Sequence, residues 1–252
     1  MAQEPHAVQP QTAPLHPTNT TRLLRNPWRI VLAVSRRTCG LYKRHIRRSK
    51  SSCFEDLEII ALLGRAGKRN GQTSYLEIGA WDPVAGSNTY MLYTKGARGV
   101  LIEPNPDLVE KLERLRPGDV VLNIGVSDRE DMLPYYRFES GDSNTFSAKN
   151  KDLYIANGVK LRDCIQVQVR PVMEIVKHHF GPNGPDVLSV DAEGYDYRIL
   201  RSWDWVNYRP SVVITEIYLY GTVEEASIEL LESKGYCKHK QAGNNWIFRE
   251  AS

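Results

Sequence analysis

Residues 75–106 read YLEIGAWDPVAGSNTYMLYTKGARGVLIEPNP, and this stretch decides the kind of fold. Ser74–Ala80 is a short, nearly continuous apolar run that ends in an acid and a glycine. Asn88–Lys95 has helical spacing, and Gly99–Glu103 (GVLIE) is a second apolar run ending in an acid. Runs this apolar suit strands buried on both faces, and a helix between two of them makes a parallel crossover. The rhythm continues in both directions. Upstream, Phe54–Ala66 predicts a helix with a glycine exit at Gly64 and Gly67. Downstream, helices are predicted over 107–116, 172–180, 195–202 and 223–234, and strands over 119–126, 186–191 and 211–216. Residues 237–241 and 245–249 close the chain as an antiparallel pair. The predicted class is α/β: a mostly parallel, Rossmann-like sheet with an antiparallel C-terminal edge and helices on both faces.

Composition limits the alternatives. The chain has 252 residues, 25% charged and 41% hydrophobic, which excludes wholesale disorder and collagen-like sequence. No apolar run approaches the roughly 18 residues of a membrane span. Cys39, Cys53, Cys164 and Cys237 lie far apart with no CxxC pair, so reduced thiols and a cytoplasmic location are expected. The net charge of +3 is uneven: residues 1–54 hold ten Lys/Arg against Glu4 alone, whereas the remainder is net acidic. Residues 1–21, rich in Pro, Gln and Thr, are read as a disordered tail. Residues 22–53 are read as a basic helical extension able to lie on an anionic membrane, and residues 54–252 as the folded domain. A solvated helix, a helix packed on its own domain, a nucleic-acid arm and a transit peptide are the other readings of the basic stretch.

Ligands of open α/β sheets gather at the carboxyl ends of the strands. There this chain places Glu77-Ile78-Gly79, Glu103-Pro104-Asn105, Asn123-Ile124-Gly125, Asp191-Ala192-Glu193 and Glu216. Gly79 lets a ligand approach the backbone, but the next glycine is Gly86, so the dinucleotide fingerprint is absent. An acid at Glu103 can accept hydrogen bonds from both ribose hydroxyls. A nucleoside without a diphosphate loop points to S-adenosylmethionine rather than NAD.

Tyr75–Pro106, Asn123–Asp128 (NIGVSD) and Leu188–Leu200 (LSVDAEGYDYRIL) together resemble the S-adenosylmethionine-dependent methyltransferases of the FkbM type, over about 75–216. Common members read Gly-Ala-Asn-x-Gly after the first strand, where this chain has Gly79-Ala80-Trp81-Asp82-Pro83. The resemblance implies a class I methyltransferase sheet with S-adenosyl-L-methionine as cofactor. It places Glu77, Gly79, Asn88 and Thr89 at the methionine part, Glu103 at the ribose, and Gly125, Val126 and Ser127 at the adenine edge.

Methyl transfer to a hydroxyl needs an oxygen held in line and a group to take its proton. Asp191 and Glu193 are the candidates, with the choice between them open. A catalytic metal on these two acids lacks a third ligand in the sequence reading, and no metal is expected. The family analogy implies O-methylation of a sugar hydroxyl in a glycan, glycolipid or lipo-oligosaccharide, with the fucose of a lipo-chitooligosaccharide of nodulation as a specific case. A secondary metabolite is the alternative acceptor, and a non-catalytic, membrane-associated cofactor-binding protein the alternative class. A nucleic-acid acceptor has no supporting motif.

Overall fold

The computed structural model describes residues 49–219 and 222–251, all within one compact unit, Cys39–Ser252. The expected tail, and the basic extension up to residue 48, lie outside the described residues. Residues 49–53, the end of that extension, are not helical, and Ser51 instead bridges Gly86 in parallel.

The main sheet has seven strands: β1 (Ser74–Ile78), β2 (Arg98–Ile102), β3 (Val120–Leu122), β7 (Val187–Val190), β8 (Val212–Glu216), β11 (Tyr236–Ala242) and β12 (Asn245–Glu250). Their order is β11-β12-β8-β7-β1-β2-β3. The five from β8 to β3 run parallel, and β12 and β11 pair antiparallel at one edge. The order reverses between β1 and β7, which opens a crevice above their carboxyl ends. This is the class I methyltransferase sheet.

Strand parity explains the double-sided core. Leu76, Ile78, Val100, Ile102, Leu188 and Val190 face one apolar cluster, whereas Tyr75, Leu101, Val187, Val212 and Ile214 face the other. Helix α1 (Glu55–Arg65) covers the second face through Ile59, Leu62 and Leu63, whose i, i+3, i+4 spacing makes one apolar stripe. Helices α5 (Val172–Phe180), α6 (Asp196–Arg201) and α7 (Glu225–Ser233) contribute Ile175, Val176, Ile199, Leu200 and Leu231 to the first. Trp203 and Trp205 are core residues of that layer. Short helix α2 (Tyr90–Thr94) follows β1. Helix α3 (Pro106–Leu115) starts at Asn105, whose side chain accepts from the Asp107 N–H, with Pro106 at the first helical position.

The strand expected over 119–126 is two strands. β3 stays in the main sheet, and β4 (Gly125–Ser127) leaves it to pair in parallel with β6 (Leu161–Pro171). The break falls at Asn123, whose amide donates to the Glu103 and Pro104 carbonyls and ties the chain to the loop after β2. β6 also pairs antiparallel with β5 (Asp131–Phe138), giving a three-stranded side sheet. Between β5 and β6 lies helix α4 (Ala148–Ala156), capped by the Ser147 hydroxyl, which the periodicity did not predict. A short ribbon, β9 (Tyr218–Leu219) and β10 (Thr222–Val223), follows β8. The expectation of four reduced thiols fails at Cys53, which is disulfide-bonded, while Cys164 and Cys237 are free.

Candidate active site at the carboxyl ends of the strands

The ends of β1, β2 and β7 are joined backbone to backbone. The N–H groups of Gly79 and Ala80 both donate to the Ile102 carbonyl, and the Asp191 N–H donates to that of Ile78. Gly79 has φ +82°, and a Cβ there would overlap the Asp191 carbonyl oxygen, so only glycine allows this approach. Trp81, at φ +43°, turns its N–H onto one oxygen of Glu103 at 2.8 Å, and the Asn105 N–H takes the other at 2.8 Å. Glu103 is only 3% exposed, and burial pushes its carboxyl up to about 7. Two N–H partners leave a lone pair on each oxygen.

Glu77 is engaged within the chain. It shares strand parity with Tyr75, and its carboxylate meets the segment that starts helix α2. Its carboxylate accepts from the Asn88 N–H at 3.1 Å and the Thr89 hydroxyl at 2.5 Å, with the Ser87 hydroxyl at 3.3 Å. The Thr89 and Tyr90 N–H groups donate to the Ser87 hydroxyl, and the Asn88 amide donates to Ser189. The helix-start amides assigned by resemblance to a ligand carboxylate are therefore spent within the chain. Behind them, fully buried Arg116 donates to Thr89, to the Tyr75 hydroxyl, to the Pro83 carbonyl and to Asp119. Arg116 offsets the Glu77 charge, yet burial still raises the Glu77 carboxyl above the usual range.

Gly125, Val126 and Ser127 are buried in β4. A Cβ on Gly125 would come within 2.5 Å of the Phe146 ring, and Val126 belongs to the main core. Ser127 donates to Asp128 at 3.1 Å. These residues follow Asn123, which ties the start of β4 to the Glu103 loop, and the side chains of Val126 and Ser127 are buried.

Across the crevice three acids meet. Asp191 follows β7, Glu193 sits two residues on at φ +49°, and Glu216 ends β8. One oxygen from each lies within 4.8 Å of the others. Carboxylates this close share a proton, or bind a hard cation. Burial and the neighbouring acids, Asp196 first, raise Asp191 to about 7. Burial and Asp191 raise Glu193 as well, against a hydrogen bond from Tyr154. Burial, then Glu193, raises Glu216, which accepts from Asn244. Neither Asp191 nor Glu193 caps helix α6; Asp196 holds that turn by accepting from the Ala192 and Gly194 N–H groups at 3.2 Å. Glu216 was visible as a strand end, but only the β7–β8 adjacency joins it to the other two.

The sequence profile of the methyltransferase FkbM domain matches residues 77–236, well over half the chain and the whole of this crevice. The chain belongs to the FkbM methyltransferase family. No curated protein matches it. Among solved structures it is similar to the FkbM methyltransferase of Methylobacillus flagellatus KT, with 15% identity and a TM-score of 0.45 over 71% of this chain and 44% of that one. It is also similar to a TehB-like methyltransferase of Corynebacterium glutamicum, with 11% identity and a TM-score of 0.41 over 86% and 98%. The chain thus spans less than half the length of the Methylobacillus protein.

S-adenosylmethionine is the methyl donor of FkbM methyltransferases, and this rim has parts that fit it. Gly79 lets the β1 turn pack directly on the Asp191 carbonyl, and Glu103 keeps a lone pair on each carboxylate oxygen, an acceptor pair of the kind that suits vicinal hydroxyls. Glu103→Ala is expected to raise the dissociation constant of S-adenosylhomocysteine by about ten- to a hundredfold, because it removes charged acceptors and frees the Trp81 loop. Isothermal titration checks this.

Proposed function

We propose that this FkbM methyltransferase transfers the methyl group of S-adenosylmethionine to a hydroxyl, with Asp191 as general base. The hydroxyl is that of a sugar, including deoxysugars such as fucose, in a glycolipid, lipo-oligosaccharide or polysaccharide. One observation carries the reading. Asp191 packs its main chain on Gly79 and has its carboxyl raised to about 7 by burial and the neighbouring acids, whereas the Glu193 carboxylate is already engaged by Tyr154.

The donor, when bound, supplies a sulfonium carbon that is already electrophilic. The chain's own work is to align an oxygen with it and remove a proton. An alcohol oxygen needs that proton taken as the bond forms, which a carboxylate titrating near neutrality does well. Carboxylate oxygens beside an aromatic face also suit a polyol, and Trp81, 40% exposed, offers such a face on the same rim. The cations of residues 22–50 support a peripheral contact with an anionic membrane that carries the acceptor.

The test is transfer from labelled donor by the full chain to a fucosyl glycoside, a glycolipid and a polysaccharide, with amines as controls. A methylated hydroxyl supports the reading; transfer to amines alone sinks it. Dialysis against EDTA is expected to leave the rate unchanged, and loss that Mg²⁺ restores would replace proton sharing by a cation.

The pH dependence follows from the signs. Asp191 must be ionised to act, so the rate is expected to rise through about pH 7. Stability runs the other way. Asp191, Glu103 and Asp196 have folded values raised to about 7, 7 and 6, so their contribution is fully present below the unfolded carboxyl range and is lost as pH climbs through those values. The lowered carboxyls, such as Asp82 and Asp128, act only at more acid pH. Scanning calorimetry is expected to give a higher Tm at about pH 5.5 than at about pH 8.

A further inference from the structure

Of the three acids, Glu193 is held through both its main chain and its carboxylate by a segment far upstream of its own turn. Its carbonyl accepts from the Thr145 hydroxyl at 2.7 Å and from the Asn150 amide at 2.7 Å, and its carboxylate accepts from the Tyr154 hydroxyl. All three donors lie between β5 and β6, some forty residues upstream of the turn they grip. They are themselves fixed. Thr145 bridges Tyr136 of β5, the Ser147 hydroxyl accepts from the Asn150 N–H at the start of α4, and the buried Tyr154 ring meets Phe138 edge-on at 5.5 Å. The gripped residue has φ +49°, a left-handed conformation that costs about 1 kcal/mol or more in a residue with a Cβ. Gly194 follows at φ +96°, where a Cβ would run into the Asn150 amide. Asp196 holds the N–H groups of the turn from within, and the donors from outside hold the strained residue itself, through its carbonyl and its carboxylate.

We propose that Thr145, Asn150 and Tyr154 form a clamp that positions Glu193, so that the helix α4 insertion builds the acceptor side of the site. Tyr154 and its two companions are positioning residues. The clamp fixes the Ala192–Gly194 turn in its left-handed form and directs the Glu193 carboxylate towards Asp191 and Glu216. It also divides the labour between the first two acids, since an anchored Glu193 leaves Asp191 to meet the acceptor. This inference rests on the hydroxyl-methylation reading for its kinetic consequences but not for its geometry.

The test uses Tyr154→Phe, which keeps the ring and its contact with Phe138, together with Thr145→Val and Thr145→Ser. In Tyr154→Phe, kcat is expected to fall by about tenfold or more while KM for the donor and S-adenosylhomocysteine affinity stay within about twofold. Thr145→Val is expected to follow it, and Thr145→Ser, which keeps the hydroxyl, to recover most of the rate. Independently of activity, deuterium exchange of a peptide spanning 191–195 is expected to speed up in Tyr154→Phe and Thr145→Val but not in Thr145→Ser. Unchanged exchange in both impaired variants overturns the clamp, and so does a fall in S-adenosylhomocysteine affinity that parallels kcat. Faster exchange in a protein that methylates no hydroxyl upholds the clamp and removes the acceptor assigned above.

Discussion

Asp191→Asn is expected to lower kcat by about two to four orders of magnitude while leaving S-adenosylhomocysteine affinity within about threefold. The asparagine keeps the size of the side chain and the backbone contact with Gly79, but it takes no proton. Asp191 meets Gly79 through its main chain, which the substitution leaves in place, so it is expected to separate proton removal from donor binding. The pH profile supplies a second readout. The rise through about pH 7 that belongs to this carboxyl should disappear, leaving the weaker titration of the remaining acids. Wild-type rates in Asp191→Asn would move the base to Glu193 or Glu216, and single-turnover measurement with Glu193→Gln and Glu216→Gln would tell which. Because removing one acid relieves its neighbours of repulsion, the variant is also expected to be no less stable than the parent at about pH 8.

The largest loss of stability is expected from Arg116→Met. The guanidinium is fully buried, donates to Asp119, Tyr75, Thr89 and Pro83, and lies 4.8 Å from the centre of the Tyr93 ring. Methionine fills much of the volume but leaves Glu77 and Asp119 without their cation. Breaking a buried ion pair from one side costs about 3–5 kcal/mol. The Tyr75 hydroxyl keeps its bond to Asp119, so the loss is not of every contact. Urea denaturation checks the figure. The double variant Arg116→Met, Glu77→Gln should recover part of it, because the stranded charge is gone. Donor affinity should fall with stability in the single variant, since Glu77 fixes the Ser87–Thr89 segment beside the Gly79 turn.

Much of the fold was legible because its strands are apolar on both faces and its helices carry an apolar stripe. Helix α5 begins and ends where the spacing placed it. The 119–126 segment misled because its apolar residues continue across Asn123, although an amide in mid-strand and Gly125 beyond it already mark a turn. Helix α4 escaped because it buries Asn150 and Tyr154 rather than an aliphatic stripe, and hydrophobic period does not register polar contacts. For Glu77, parity with Tyr75 was available in the sequence and accounts for its contacts with the start of helix α2. The position of Glu103 at a strand end was readable, but its two backbone partners depend on the left-handed turn at Trp81. Glu193 and Asp191 were recognised as a pair, whereas Glu216 needed the order of strands in the sheet, and the Glu193 clamp needed an insertion whose path no local pattern reveals.

On the function proposed above, the contact of Gly79 with the Asp191 carbonyl gives donor and proton acceptor one shared joint of main chain. The Asp191 carboxylate keeps its own rotamers, but the Cα that carries it cannot drift from Gly79, since peptide groups in adjacent hydrogen-bonded strands are among the stiffest parts of a protein. What sets their separation is the shear between two neighbouring strands, so anything that slides one past the other mistunes both partners together.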